Sequence, residues 1–157
     1  MLEPAVEEKV HVRFLGTGDN FGSGGRFQAC IHVDAGGTRF LIDCGASSLI
    51  AMKRAGIRTD RIDAILVSHL HGDHFGGIPF FIIDAQLISR RQAPLVIAGP
   101  PGLPVRLREA MEVLYPGSSQ VERKFPLHCL ELAESQTTAL GDLTVLPFTV
   151  IHGSGAP

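Results

Sequence analysis

The alternation of hydrophobic and polar residues predicts four β-strands in the first part of the chain. Residues 10–15 alternate between the two classes, as in a strand with one face in water. Residues 29–33 and 38–42 are strand-like runs, and the glycines between them favour a tight hairpin. Residues 62–67 contain a continuous apolar run with polar flanks, which is typical of a short buried strand.

Three segments have the patterns of helices. Residues 47–55 end in two basic residues followed by Gly56, a common helix stop. Residues 80–90 are apolar on most sides, as in a buried helix, and residues 104–114 carry an apolar stripe with charged residues mostly outward. Further strand-like runs follow at 95–98, 125–132 and 143–151.

Three histidines and an aspartate follow the strand predicted at residues 62–67. His69 and His71 are two residues apart, so in an extended backbone both rings point to the same side and can share one ion. Gly72 lets the chain turn, and Asp73 and His74 would then face a different point, as a second ion requires. Imidazole and carboxylate together suit zinc, manganese or iron better than calcium or magnesium.

This H-x-H-x-D-H motif after a hydrophobic strand resembles the metallo-β-lactamase superfamily of binuclear metallohydrolases. Four further motifs resemble its ribonuclease Z and cyclic phosphodiesterase branch, namely FLGTG at 14–18, FLIDCG at 40–45, AGPPG at 98–102 and VIHG at 150–153. The resemblance implies an α/β fold, the αββα sandwich. It also implies two divalent metal ions, most simply zinc, with manganese or iron as alternatives.

The resemblance assigns roles to particular residues. His152 would be the third ligand of the first metal, and Asp73 and His74 would help to bind the second. Asp43 would support the histidine loop by hydrogen bonding, without binding metal itself. A hydroxide bridging the two ions would attack phosphorus or a carbonyl carbon, and Asp73 could also act catalytically by accepting a proton from water. The sequence does not separate the ligand role of Asp73 from its role as a base.

No aspartate or histidine follows His152, whereas superfamily members have a second αβ half that supplies a bridging aspartate and a last histidine. We therefore expect residues 1–157 to be a single metallo-β-lactamase-like domain truncated after the third ligand motif, with the N-terminal half to two-thirds of the fold. The alternatives are that another chain supplies the remaining ligands or that one metal suffices. Half of a two-sheet sandwich leaves an apolar face uncovered, so we also expect a homo-oligomer.

The branch resemblance favours a metal-dependent hydrolase, specifically a binuclear zinc phosphodiesterase that uses a metal-bound hydroxide. An ester, lactone or thioester hydrolase of the same fold is the alternative, and a noncatalytic metal-binding half-domain is the alternative of another class. The expected substrate is a small-molecule or nucleotide-type phosphodiester. Transfer RNA stays open as a partner, but a net charge of −2 gives no basic field to support it.

Two local basic pairs, Arg90 with Arg91 and Arg106 with Arg108, are interpreted as solvated helix faces.

The three cysteines have no C-x-x-C spacing, so a reducing, cytoplasmic setting is predicted. The acidic start of the chain lacks the features of a secretion signal. The longest apolar run, residues 78–83, is too short to span a bilayer, and no membrane partner is expected.

Overall fold

The structure is a computed structural model that describes residues 9–152; the acidic start at residues 1–8 and the residues after His152 lie outside the described range. Its strands are β1 (Val10–Gly16), β2 (Cys30–Ala35), β3 (Thr38–Ile42), β4 (Ala64–Leu66), β5 (Leu95–Gly99), β6 (Leu127–Glu131), β7 (Thr138–Leu140) and β8 (Leu143–Val145). Its α-helices are α1 (Ser48–Arg54), α2 (Gly72–Phe75), α3 (Ile78–Leu87) and α4 (Leu103–Leu114).

Strands β1 to β6 form one mixed sheet in which the spatial order follows the chain order. The pairs β1–β2 and β2–β3 are antiparallel, and β3 to β6 are parallel to one another. The predicted hairpin between β2 and β3 is confirmed, with positive φ at Gly36 and Gly37. Because β3 and β4 are parallel, Asp43 and the histidine loop leave the sheet at the same edge.

The core lies between one face of this sheet and three helices. Leu41, Ile65 and Ile97 are register neighbours on β3, β4 and β5, and all three are fully buried. Met52 of α1 and Phe81 of α3 belong to the same buried cluster, together with the apolar stripe of α4. This packing holds the carboxyl ends of the parallel strands rigid.

The other face of the sheet is only partly covered. Strands β7 and β8 form a hairpin whose Leu140 packs with Ala98 and Leu132 over the β4 to β6 side. On the β1 to β3 side, large apolar residues are exposed to solvent, namely Val10, Val12, Phe14 and Ile42. Among residues 9–152, nothing covers this apolar surface beside the antiparallel edge of the sheet.

The predicted α/β class and most of the predicted elements are confirmed. The strand predicted at 143–151 is wrong beyond Val145, where β8 ends. Pro147 has no backbone N–H to donate to a neighbouring strand, and it lies outside regular structure in the described range. The buried helix extends over Ile78–Leu87 rather than 80–90, with proline in its first turn as expected.

The interpretation of Arg91 as part of a solvated helix face is also wrong. Arg91 follows α3 and is 1% exposed, and its guanidinium donates hydrogen bonds to the carbonyl oxygens of Thr59, Ala93 and Pro94. Buried guanidinium groups are tolerated when carbonyls satisfy them in this way. Arg106 and Arg108 are exposed on α4, as predicted.

Across residues 9–152 the helices are all too short or too polar to traverse a lipid bilayer.

Candidate metal centre

The histidine loop connects the end of β4 to the single helical turn α2. His71 is the extended residue before this turn, and its carbonyl oxygen accepts hydrogen bonds from the backbone N–H groups of His74 and Phe75. His69 and His71 thus precede the turn, whereas Asp73 and His74 lie within it. The backbone changes direction at Gly72, so the two pairs of side chains come from differently oriented segments.

Three imidazole rings converge at this edge of the sheet. One nitrogen from each of His69, His71 and His152 can be chosen so that all three lie within 4.8 Å of one another. The ring centroid of His152 is 4.5 Å from that of His69 and 5.0 Å from that of His71. Within residues 9–152 this is the only group of three or more such side chains that could hold a metal ion.

The environment of His69 indicates whether these residues are suited to bind a metal ion. Its Nε2 is buried and has no hydrogen-bond partner among the described residues. Burial lowers the pKa of His69, and the neighbouring rings of His74, His152 and His71 lower it further. A neutral imidazole with a buried, unpaired nitrogen is suited to donate that lone pair to a cation, so the donor set fits a divalent ion such as zinc.

Asp43 organises the loop from the end of β3. One carboxylate oxygen accepts a hydrogen bond from the Ser68 backbone N–H at 2.8 Å, and the other lies 2.9 Å from the Ser68 hydroxyl and 2.6 Å from Nδ1 of His74. A carboxylate accepts hydrogen bonds, so Nδ1 of His74 is the donor in this contact, and in a neutral ring the lone pair is then on Nε2. Asp43 therefore fixes both the loop and the orientation of one ring.

Asp73 and His74 form a second, smaller group beside the three histidines. Asp73 is mostly buried, and its Oδ2 lies 3.5 Å from Nε2 of His74. The ring of His74 is 4.1 Å from that of His69, centroid to centroid. The structure thus brings all six predicted residues into one region, with Asp43 bonded to His74 and Ser68.

Sequence reasoning missed two contributors to this region. The Ser68 hydroxyl lies 3.1 Å from Nδ1 of His69, so it links that ring to Asp43. Gly45 packs so closely that a Cβ there would lie 2.1 Å from the carbonyl oxygen of Asp73. The position of Ser68 before the first histidine was a signal, but the tight contact at Gly45 is visible only in three dimensions.

A helix-backed sheet with a histidine-rich loop at the ends of parallel strands is the architecture of the metallo-β-lactamase fold. Known relatives agree with this class. Ribonuclease Z from Salinibacter ruber is 34% identical over 123 residues, and ribonuclease Z from Agathobacter rectalis is 35% identical over 125 residues. The crystal structure of the human short form of tRNase Z is similar with a TM-score of 0.61 and 31% identity. The chain belongs to the family described as Anti-Pycsar protein Apyc1, which matches residues 10–157.

The matches to ribonuclease Z and tRNase Z cover most of this chain but less than half of those proteins. They extend over 78% of this chain and 36% of the Salinibacter protein, and over 80% of this chain and 39% of the Agathobacter protein. The match to human tRNase Z covers 78% of this chain and 45% of that one. A diphosphatase of the PhnP family shares the fold with a TM-score of 0.69 at 18% identity, over 94% of this chain and 60% of its own.

Proposed function

We propose that this chain provides the metal-binding part of a metal-dependent hydrolase that acts on phosphodiester bonds, most simply with two zinc ions. The observation that carries the proposal is the convergence of His69, His71 and His152 around a buried, unpaired imidazole nitrogen. This arrangement has a cost in the absence of a cation, because a buried nitrogen without a partner is unfavourable. A bound ion would remove that cost.

Each group of residues in this chain would have its own role in binding the ions. His69, His71 and His152 would hold one ion, and Asp73 with Nε2 of His74 would contribute to a second. Asp43 would keep Nδ1 of His74 protonated, so that its Nε2 lone pair is available. When bound, divalent ions activate water and offset negative charge on phosphoryl oxygens.

Asp73 is the chain's candidate for moving a proton in the reaction. Its carboxylate is mostly buried and reaches the same region as the three histidines. A carboxylate held there could accept a proton from the attacking water, which is a contribution of about 10² to 10⁴ in rate. It could also bind an ion through the same oxygens.

The second ion would need further ligands. Among residues 9–152, Asp73 and His74 have no third partner of the kind found around the first ion. We infer that residues 1–157 form a single domain of the metallo-β-lactamase type and that further ligands come from outside this stretch, either from more of the same polypeptide or from a second copy. A site that works with a single ion is the alternative.

The favoured substrate is a small or nucleotide-type phosphodiester. The resemblance to ribonuclease Z supports phosphodiester chemistry, and it keeps transfer RNA as a second candidate. The net charge of −2 does not favour a long polyanion, because nucleic-acid binders usually carry a clustered positive surface.

Elemental analysis after removal and restoration of zinc tests the metal centre. We expect at least one ion per chain in the wild type, and loss of that ion in His71→Ala and His152→Ala. His128→Ala is the matched control, because His128 is exposed on β6 outside the cluster. A wild type that binds no metal, or a His71→Ala variant with unchanged metal content, would contradict the proposed site.

A substrate panel then tests the chemistry on the zinc-loaded protein. Bis(p-nitrophenyl) phosphate, a cyclic nucleotide and a precursor tRNA represent phosphodiesters, and p-nitrophenyl acetate with a thioester represents the alternative. We expect phosphodiester hydrolysis that falls by roughly 10² or more in Asp73→Asn. Hydrolysis of the esters alone would favour the other hydrolase class, and bound metal without any turnover would favour a noncatalytic half-domain.

A further inference from the structure

A cavity opens at the opposite end of the sheet from the histidine cluster. Its volume is about 600 Å³. Strand β3 runs from the cavity towards the metal centre. Arg39 near its start lines the cavity, and Asp43 follows its end. Four residues of extended strand correspond to roughly 13 Å. The cavity is thus apart from the candidate metal centre.

Basic side chains dominate the lining of this cavity. They come from β1, β2, β3 and the segment after α1, and they are His11, Arg13, His32, Arg39, Arg58 and Arg61. Asp34 is the one acidic residue in the lining. Four guanidinium groups against one carboxylate give a local positive charge in a chain whose net charge is −2.

The acidic partners do not neutralise all four guanidinium groups. Asp34 pairs with Arg39 at 2.8 Å, and Asp60 pairs with Arg58. The guanidinium of Arg13 donates a 3.3 Å hydrogen bond to a backbone carbonyl. That of Arg61 forms no hydrogen bond or close ion pair with any described residue, and its acidic neighbour Asp60, which interacts with it electrostatically, is already paired with Arg58. Two cations therefore remain available at the cavity wall.

His32 adds an independent sign of an incomplete site. It lines the cavity and is 8% exposed, yet its buried Nε2 has no hydrogen-bond partner within residues 9–152. Buried polar nitrogens are nearly always paired, and an unpaired one calls for an explanation such as a ligand. An anion in the cavity would supply acceptor oxygens to the neighbouring arginines, and a small rotation of the His32 ring would bring its nitrogen to the same ligand.

We propose that this cavity binds a phosphorylated small molecule, such as a diphosphate or a nucleotide. The planar, forked donors of arginine match phosphate oxygens, and several arginines around one space suit a ligand with more than one negative charge. A volume of about 600 Å³ lies within the usual range for small-molecule sites and exceeds the size of one phosphate group. Ile57 offers apolar contact to the remainder of such a ligand.

Calorimetric titration with pyrophosphate at constant ionic strength tests this site. We expect saturable binding of one pyrophosphate per cavity, weakened at least tenfold in the double variant Arg13→Gln, Arg61→Gln. The double variant Arg106→Gln, Arg108→Gln removes the same charge from exposed positions on α4 and should bind like the wild type. His32→Gln is a second probe that leaves the arginines in place and should also weaken binding.

The same titration separates this site from the metal centre, which could itself attract phosphate. His69→Ala should leave pyrophosphate binding to the cavity intact. Binding that disappears in His69→Ala but survives in Arg13→Gln, Arg61→Gln would overturn the proposal, as would equal weakening in the α4 control.

Discussion

Asp43 has a φ of 62°, which is rare outside glycine, aspartate and asparagine. The conformation turns its carboxylate towards the histidine loop, where it bonds both Ser68 and His74. A hydrogen bond from a metal-binding imidazole to a carboxylate fixes the ring and makes its other nitrogen a better donor. The negative charge of Asp43, and not only its shape, should therefore contribute to metal affinity.

Asp43→Asn tests that charge. Asparagine tolerates the same positive φ, so the backbone can stay in place while the negative charge is lost. We expect zinc affinity to fall by about 10- to 100-fold, measured by competition with a chromophoric chelator. Asp142→Asn changes an exposed aspartate that meets Thr38 at 3.5 Å, and it should leave affinity unchanged. Equal zinc affinity in the wild type and Asp43→Asn would contradict the supporting role of Asp43.

His32 should make stability depend on pH. Burial lowers its pKa below the ordinary value of 6.5; the carboxylate of Asp34 opposes this shift, and Arg13 and Arg39 reinforce it. The unfolded chain then takes up a proton at higher pH than the folded chain, so stability falls as pH drops below about 6.5. The charged or titratable groups that line the cavity with His32 are His11, Arg13, Asp34, Arg39, Arg58 and Arg61.

Urea unfolding of the metal-free protein at about pH 7.5 and about pH 5 measures this effect. The free energy of unfolding should decrease less on acidification in His32→Gln than in the wild type, because the glutamine cannot take up the proton. His128→Gln changes an exposed histidine on β6 and should behave like the wild type. Identical pH dependence in all three proteins would contradict the assignment to His32.

At the scale of elements, the loop after β3 and the turn α2 are packed backbone against backbone. A Cβ on Gly45 would lie 2.1 Å from the carbonyl oxygen of Asp73, and a Cβ on Gly77 would lie 2.1 Å from that of Gly45. The Cys44 backbone N–H also donates a hydrogen bond to the carbonyl oxygen of His74 at 2.6 Å. Backbone atoms cannot move aside as a flexible side chain can. The glycines thus allow the segment after β3 to hold the segment that carries Asp73 and His74.

Gly45→Ala should displace α2 and destabilise the fold by roughly 1 to 3 kcal/mol, as overpacking usually does. Thermal unfolding of the metal-free protein gives the measurement. Gly72→Ala is the matched control, because an added Cβ there meets nothing within 4 Å and its φ is not positive. It should be neutral or slightly stabilising, since alanine favours a helix more than glycine does. A Gly45→Ala variant as stable as Gly72→Ala would contradict the tight packing.

Near the metal centre, the side-chain directions were predictable where the spacing of residues along a strand decides them. His69 and His71 follow a strand and are two residues apart, so the alternation of side chains along an extended backbone gives their common side. The path to His152 could not be predicted, because residues 146–152 have no regular structure in the described range. Strand β8 lies within the strand predicted at 143–151, but its partner β7 was missed, because a three-residue strand is too short to give a clear alternation. Arg91 was missed because its partners are backbone carbonyls, which leave no trace in the sequence.

At the scale of the whole molecule, one face of the sheet exposes apolar side chains to water, which is unfavourable. Phe14, Ile31 and Ile42 are register neighbours across β1, β2 and β3, and Val12 lies in the next row beside Val33. Phe14 is 66% exposed and Val12 is 54% exposed. A contiguous apolar face of this kind generally marks a surface that another layer or another chain covers.

We therefore expect the 157-residue chain, expressed alone, to associate through this face in sedimentation velocity experiments across a concentration series. The double variant Val12→Lys, Phe14→Lys should shift the distribution towards monomer, because lysine on an exposed strand resists pairing and apolar contact. Val113→Lys on α4 is the control; that residue is 81% exposed but lies on a helix outside this face, so association should persist. A monodisperse wild-type monomer would mean that the face is stable in water. It would then favour a half-domain that needs no second layer over one that recruits its remaining metal ligands from another copy.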